Sequence, residues 1–487
     1  MADKRYRLLI GGEWVDGANG TSPIVNPANG TVVGYAPEAS VAQAAQAAAA
    51  AKAAFKSWSR TPAAERGRLL NLVADRLAER QADLVPLIIS ETGATAMVGS
   101  RMQVPVAIDR FRTYGNAATK DLRIPLAPFA QTATPLAPGG LISAVVHRPP
   151  VGVVACISPY NFPVVNVAGK IAPALAVGCT VVIKPAPQDP LAVIELVEIM
   201  HEVGFPAGVI NIITATSAEP SAELTTNPDV DMVSFTGSTS VGQRIAQAGA
   251  MTMKRQLLEL GGKGAGIVFG DASIPTAVGA IGSVWSFHSG QICTAPTRAI
   301  VHTSIHDQVV SALATYARNL KVGDPTSMQT IVGPVISGAQ RDRIQAHIGA
   351  GASQGAEVVV DGRNPAGLET GFFVAPTLLT GCDRHMTPVR EEIFGPVVVV
   401  IPFDDEDEAI DLANDTDFGL YDYVFSSDSE RAMRVASQLR SGNVGINTAQ
   451  RNHATPFGGF KLSGIGRDGG EFGLHAYTEM QSIVWPG

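Results

Sequence analysis

From residue 151 onward the chain keeps one rhythm. A short apolar run gives way to a turn rich in proline or glycine, then to a longer amphipathic stretch, then to another apolar run. Residues 153–157, 180–183, 209–213 and 232–235 read as strands, with helical stretches ending near Ala176 and running from Pro190 to about residue 203. Strands separated by helices of this length join in parallel and need helices on both faces. The rhythm resumes after Gly262. Residues 265–269, 298–302, 358–360 and 396–402 read as strands, and 274–288, 304–320 and 340–351 as helices. The expected fold is α/β: two doubly wound parallel-sheet domains, one a Rossmann-like cofactor domain and one catalytic. Such sheets bind ligands at the carboxyl ends of their strands.

Before this region lies a turn-rich lead-in at 26–30, an alanine-rich helix over 41–58, and a helix over 65–90 with Leu69, Val73 and Leu77 on one face. Residues 123–138 are rich in proline, threonine and alanine, which predicts an extended crossing arm suited to oligomerisation. The 487 residues allow two to four domains, and 46% hydrophobic against 16% charged residues excludes disorder. A net charge of −8 offers no basic footprint for nucleic acid. The first residues lack the apolar core of a secretory signal, and the longest apolar stretches, such as 171–183, are too short to span a bilayer. The four cysteines, Cys156, Cys179, Cys293 and Cys382, show no metal-binding spacing. A reducing, cytoplasmic setting is expected, where a single cysteine is a candidate nucleophile.

Four segments can carry chemistry. After the apolar run 232–235 comes Thr236-Gly237-Ser238-Thr239-Ser240-Val241-Gly242, opening a helix. Glycine allows close backbone approach to a phosphate, and a helix start presents free N–H groups. Gln243 and Arg244 follow, so this is not a P-loop; the plain alternative is an ordinary strand-to-helix turn. Cys293 follows a glycine-containing break after a helix, and its ordinary counterpart is a small buried hydrophobe. Glu259 lies between two leucines before paired glycines, where an apolar setting would make a general base, unless it is an exposed strand-end acid. Asn161, in the tight turn after 153–157, could donate to an oxyanion or simply bond its own backbone. The string Gly464-Ile465-Gly466-Arg467-Asp468-Gly469 matches G-x-G-x-x-G but has no strand before it and no βαβ unit around it, so it reads as a structural turn. His288, at a helix end near Cys293, reads as structural.

Together these segments resemble the aldehyde dehydrogenase superfamily along essentially the whole chain. The resemblance rests on Ser-Pro-Tyr-Asn-Phe-Pro at 158–163, Val-Ile-Lys-Pro at 182–185, Phe-Thr-Gly-Ser at 235–238, Leu-Glu-Leu-Gly-Gly-Lys at 258–263, Gly-Gln-Ile-Cys at 290–293, Glu-Glu-Ile-Phe-Gly-Pro at 391–396 and Pro-Phe-Gly-Gly-Phe-Lys-Leu-Ser-Gly at 456–464. It implies NAD(P)-dependent oxidation of an aldehyde to a carboxylic acid. Cys293 would be the nucleophile, Glu259 the general base, and Asn161 with the Cys293 N–H the oxyanion holder. Lys184 would bind cofactor ribose. Gly237 to Gly242, with Ser238 among them, would lie by the pyrophosphate, Phe235 would also bind the cofactor, and Glu392 and Phe394 would flank the nicotinamide ribose. No metal is implied. The implied domains are 1–122 with 146–260 for the dinucleotide, 261–455 for catalysis, and 123–145 with 475–487 as an arm that pairs subunits into a homodimer or homotetramer.

Two positions depart from the family pattern. Members strict for NAD often carry a glutamate three residues after the ribose-binding lysine; Pro187 stands there, which opens the way to NADP. Tyr160 replaces a tryptophan common before the asparagine. The Gly-Gln-Ile-Cys wording resembles members acting on apolar or aromatic, benzaldehyde-like aldehydes. Alternatives are a semialdehyde dehydrogenase, a CoA-acylating enzyme, which Glu259 argues against, and a non-catalytic relative, against which Cys293, Glu259, Asn161 and Lys184 argue.

Overall fold

The computed structural model describes residues 3–487. Its first sheet has eight strands in the order Gly464–Ile465, Arg255–Glu259, Met232–Thr236, Val153–Ile157, Thr180–Lys184, Ile210–Ile212, Leu8–Ile10, Glu13–Val15. The five strands from Arg255–Glu259 to Ile210–Ile212 are mutually parallel, and the outer pairings are antiparallel. The second sheet has seven strands, ordered Glu357–Val360, Thr377–Thr380, Val397–Phe403, Arg298–His302, Ala265–Val268, Tyr421–Phe425, Asn443–Ile446. All its pairings are parallel except the first. Both sheets are doubly wound: chain order reverses between Val153–Ile157 and Met232–Thr236 in one, and between Ala265–Val268 and Tyr421–Phe425 in the other.

The strand residues alternate between two cores, as the period-two geometry of a strand requires. Val154, Cys156, Val181 and Ile183 pack with the helices of one face, and Val153, Ala155, Ile157 and Val182 with those of the other. In the second sheet Ala265, Ile267, Val397 and Val399 face one way and Val268, Val398 and Val400 the other. Strands buried on both faces explain the continuous apolar runs of the sequence.

The alanine-rich helix Val41–Trp58 starts on a capping box. Ser40 accepts from the Gln43 N–H, and the Gln43 side chain accepts from the Ser40 N–H at 3.1 Å. Residues 65–90, expected as one helix, form two, Ala63–Glu79 and Gln81–Thr92. They break at Arg80 (φ −90°, ψ 2°), whose guanidinium meets Glu195 at 3.2 Å. The N-terminal segment holds strands that its pattern does not announce, among them Thr21–Val25 paired with Val32–Pro37. The Gly464–Ile465 strand, outside the span expected for the first domain, closes the edge of the first sheet. Ile124–Gln131, Gly140–His147 and Gln481–Pro486 form a separate antiparallel three-stranded sheet. Among the described residues no helix is long and apolar enough to cross a membrane.

Candidate active site

The carboxyl ends of the first sheet face the amino ends of the second. Register places Ile157 beside Lys184, Phe235 beside Ile157, and Thr236 beside Glu259. Four neighbouring strand ends thus deliver Asn161, Lys184, Gly237 and Glu259 to one edge. From the other side come Gly262 before Ala265–Val268, Cys293 before Arg298–His302, and Glu392 and Phe394 before Val397–Phe403.

The Cys293 loop is held by buried polar contacts. After the helix Ile274–Ser286, His288, Ser289 and Gly290 all have positive φ (48°, 57° and 72°). At Gly290 a Cβ would stand 2.3 Å from the Gly395 backbone, so only glycine fits. Ser289 Oγ donates to the Gly333 carbonyl at 2.8 Å, and Gln291, fully buried, accepts from the Ile336 N–H at 3.0 Å. Asn161 Nδ2 donates to the Gln291 carbonyl at 2.9 Å, while its Oδ1 accepts from the Phe162 N–H at 3.0 Å. Asn161 is therefore fixed two residues from the thiol. Tyr423 Oη donates to the Thr294 carbonyl at 2.9 Å on the other side. The His288 ring packs on Phe162 at 5.2 Å, and burial lowers its pKa to about 4, which keeps it neutral.

Cys293 is partly buried, whereas Cys156, Cys179 and Cys382 are buried. Burial pushes the Cys293 thiol up to about 12; Arg451 pulls it down, and Glu259 and Glu392 add to the rise. Glu259 is 5% exposed, and among the described residues neither carboxylate oxygen has a hydrogen-bond partner. Burial first, then Asp468, raises its pKa well above the usual carboxylate range, against Lys170, Arg467 and Arg451. Its carboxylate lies against Gly458, where a Cβ would stand 2.8 Å from Oε1.

The residues expected to meet the cofactor gather at the strand ends of the first sheet and the facing loops of the second. Gly237 donates its N–H to the Glu259 carbonyl at 3.1 Å and packs on the Phe235 ring. Ser238 caps the helix Thr239–Ala250 without a side-chain bond, and a Cβ on Gly242 would stand 2.5 Å from Leu260. The backbone there approaches more closely than any other residue allows. Lys184 is buried with no hydrogen-bond acceptor among the described residues; burial lowers it to about 8, with Glu38 raising it. Glu392 Oε1 accepts from the Gly262 N–H at 2.9 Å, and Phe394, at φ 54°, meets Tyr160 edge-on at 5.9 Å.

Sequence reasoning missed the polar groups behind Glu259. Lys170 Nζ donates to Ser234 Oγ at 3.3 Å, and Ser234 Oγ lies 2.9 Å from Tyr477 Oη. Asp468 acts electrostatically on Glu259, Lys170 and Tyr477 alike. Asp468 belongs to the G-x-G-x-x-G string, whose turn hydrogen-bonds Asp468 and Phe457 backbones in both directions. Lysine in an apolar helix was the available signal for Lys170; Tyr477, far along the chain, carried none.

A two-sheet α/β chain with a glycine turn opening a helix at the strand ends, opposite a cysteine loop, has the architecture of a nucleotide-dependent enzyme with a cysteine at its centre. A family model described as the aldehyde dehydrogenase family matches residues 14–483. The chain is 38% identical to 3-succinoylsemialdehyde-pyridine dehydrogenase of a Pseudomonas species, over 99% of both chains. It is 36% identical to glutarate-semialdehyde dehydrogenase of Pseudomonas putida, over 98% and 97%. Among solved structures it resembles a point mutant of betaine aldehyde dehydrogenase from Staphylococcus aureus in complex with NAD+ and with a BME-modified cysteine. That likeness has a TM-score of 0.93 and 37% identity, covering 98% of this chain and 95% of that one. The chain belongs to the aldehyde dehydrogenase family.

Proposed function

We propose that this protein oxidises an aldehyde to its carboxylic acid with NAD+, through a thioester on Cys293. The observation that carries the reading is the placing of Cys293, Asn161 and Glu259 at one seam, with the glycine turn 237–242 beside Glu259. NAD+, when bound, accepts the hydride. The chain's residues do the rest. Cys293 passes its Sγ proton to water, its sulfur bonds to the carbonyl carbon, and the C=O π pair moves onto oxygen. Asn161 Nδ2 has two N–H groups, and the one not given to Gln291 meets the developing oxyanion together with the Cys293 N–H. Loss of hydride from that carbon restores the C=O and leaves the thioester. Glu259 then takes a proton from water, the hydroxyl adds to the thioester carbon, and the C–S bond breaks to release the acid. Lys170, whose charge acts on Glu259, is itself held by Ser234, which meets Tyr477.

Lys184 and Glu392 would hold the two riboses, and the turn 237–242 the pyrophosphate. The NAD+ complex of the Staphylococcus aureus relative supports NAD. Glu38, whose charge acts on Lys184, disfavours a 2′-phosphate there, so NADP serves more weakly despite Pro187. Phe162, Phe287, Tyr421, Tyr423 and Phe457 supply the apolar approach that an aromatic or aliphatic aldehyde would need. Residues 123–145 and 475–487 pair subunits into a homo-oligomer. The deciding experiment follows NADH by absorbance. Cys293→Ala is expected to abolish turnover, and Glu259→Gln to give one burst of NADH per site and then stall. Steady turnover by Cys293→Ala would end the reading.

A further inference from the structure

We propose that Gln103 is a positioning residue for the oxyanion step, holding the Asn161 backbone so that the Asn161 amide is aimed before the aldehyde arrives. The inference rests on the aldehyde-oxidising reading above and adds to it a residue that acts through Asn161.

The starting observation is a break in a helix. Residues 96–117 form one helical run, made of Ala96–Val98, the π turn Gly99–Gln103, and Val104–Ala117. π turns are rare and gather at functional sites. The sequence accounts for this one. Pro105 has no N–H to give, and its ring crowds the carbonyl of residue 101, four positions back, so the turn before it opens. The opened turn ends on Gln103, which is fully buried. Glutamine is mostly a surface residue, so a buried one calls for a partner.

That partner is Asn161. Gln103 Nε2 donates to the Asn161 backbone carbonyl at 3.1 Å. Among the described residues the buried Gln103 Oε1 has no partner. An unpaired buried acceptor is destabilising, so this side chain is a poor choice for stability alone. Its bond is also unlike the others that fix Asn161. The Phe162 N–H and Asn166 Nδ2 reach Asn161 Oδ1 from its own turn and the helix that follows, at 3.0 and 3.3 Å. The Gln291 carbonyl accepts from Asn161 Nδ2 at 2.9 Å in the cysteine loop, and the neutral His288 ring of that loop bears on the Asn161 carbonyl. Gln103 brings in a third element, 58 residues away along the chain, and grips the backbone. An oxyanion donor works only where it is aimed at the developing charge, and a misplacement of about 1 Å can cost about 100-fold in rate. Carbonyl and amide gripped by different elements hold Asn161 in one orientation.

The test is a double-mutant cycle read on the first turnover of NADH, with saturating NAD+ and the neutral aldehyde that the wild type uses fastest. Gln103→Met keeps the length of the side chain and removes the donor. It is expected to slow the first turnover about tenfold in the wild-type background, and less than about twofold where Asn161 is already alanine. NADH binding, followed by its fluorescence, and alkylation of Cys293 by iodoacetamide should each change less than about twofold, because other contacts hold cofactor and thiol. Resistance to denaturant should hold, since the change also removes an unpaired acceptor. Gln103→Leu, a second side chain without a donor, should behave alike. A merely structural glutamine would give the reverse: lost stability with the first turnover kept. That result, equal losses in both backgrounds, or failure of both variants to fold would overturn the inference and leave the dehydrogenase reading standing. A wild-type first turnover in Asn161→Ala would remove the oxyanion role and the inference with it. Absence of NADH from every aldehyde would remove the dehydrogenase reading as well.

Discussion

At the scale of single residues, the proposed chemistry turns on two groups that burial pushes toward their protonated forms. Burial raises both the Cys293 thiol and the Glu259 carboxyl, and each must lose a proton to act. A raised pKa means the inactive form dominates at low pH, so kcat/KM should climb as pH rises through the neutral and alkaline range. The limb should not level near the ordinary carboxylate range. Arg451 is the cation that lowers the thiol, so Arg451→Gln should move the alkaline limb to higher pH. A pH–rate profile of both proteins on a neutral aldehyde checks this; coincident profiles would refute the coupling. Cys293, Glu259 and Asn161 were legible as residues because each stands in an unusual local setting. Asp468 and Tyr477 were not, because their meaning comes from neighbours hundreds of positions away.

At the scale of elements, the parallel strands were readable because strands covered on both faces are written as unbroken apolar runs. Arg255–Glu259 and Tyr421–Phe425 escaped notice because charges or tyrosines interrupt them: Asp422 is buried and accepts from the Ala265 N–H at 2.7 Å. The break at Arg80 was hidden for a similar reason, being set by Glu195 across the fold. The helix Leu191–Val203 shows how far such long-range terms reach. Pro190 gives it no side-chain cap, and its first N–H groups, of Leu191 and Ala192, go to the buried Glu91 carboxylate at 2.8 and 2.9 Å. This helix anchors the segment that carries Lys184. Glu91→Ala leaves two buried donors unpaired and should cost about 1–3 kcal/mol for each. Glu91→Gln keeps an acceptor oxygen and should cost less. Denaturant unfolding measures the difference, and a rise in KM for NAD+ in Glu91→Ala would report the loosened Lys184 segment.

At the scale of the whole molecule, the three-stranded sheet is out of keeping with the rest. Its outer strands, Ile124–Gln131 and Gln481–Pro486, are exposed along their full lengths and present Phe129 (57% exposed), Val484 (59%) and Trp485 (45%). Exposed apolar strands with open edges are what soluble chains avoid unless another surface covers them. A second copy of this chain is the partner we expect, as the arm-like sequence of 123–138 suggested. The sheet is also wired to the active site. Val151 donates to the Tyr477 carbonyl and Glu479 to that of Pro149, while Tyr477 Oη meets Ser234 beside Lys170. Phe129→Glu with Trp485→Glu places carboxylates on the apolar face without touching Tyr477. Light scattering after size exclusion should show the wild type as an oligomer and the double variant as a monomer. The monomer should keep its far-ultraviolet dichroism and lose about tenfold in kcat, a change of ~1.4 kcal/mol, as the tail carrying Tyr477 loosens. A monomeric wild type would refute the pairing, and a monomeric variant with full turnover would separate assembly from catalysis.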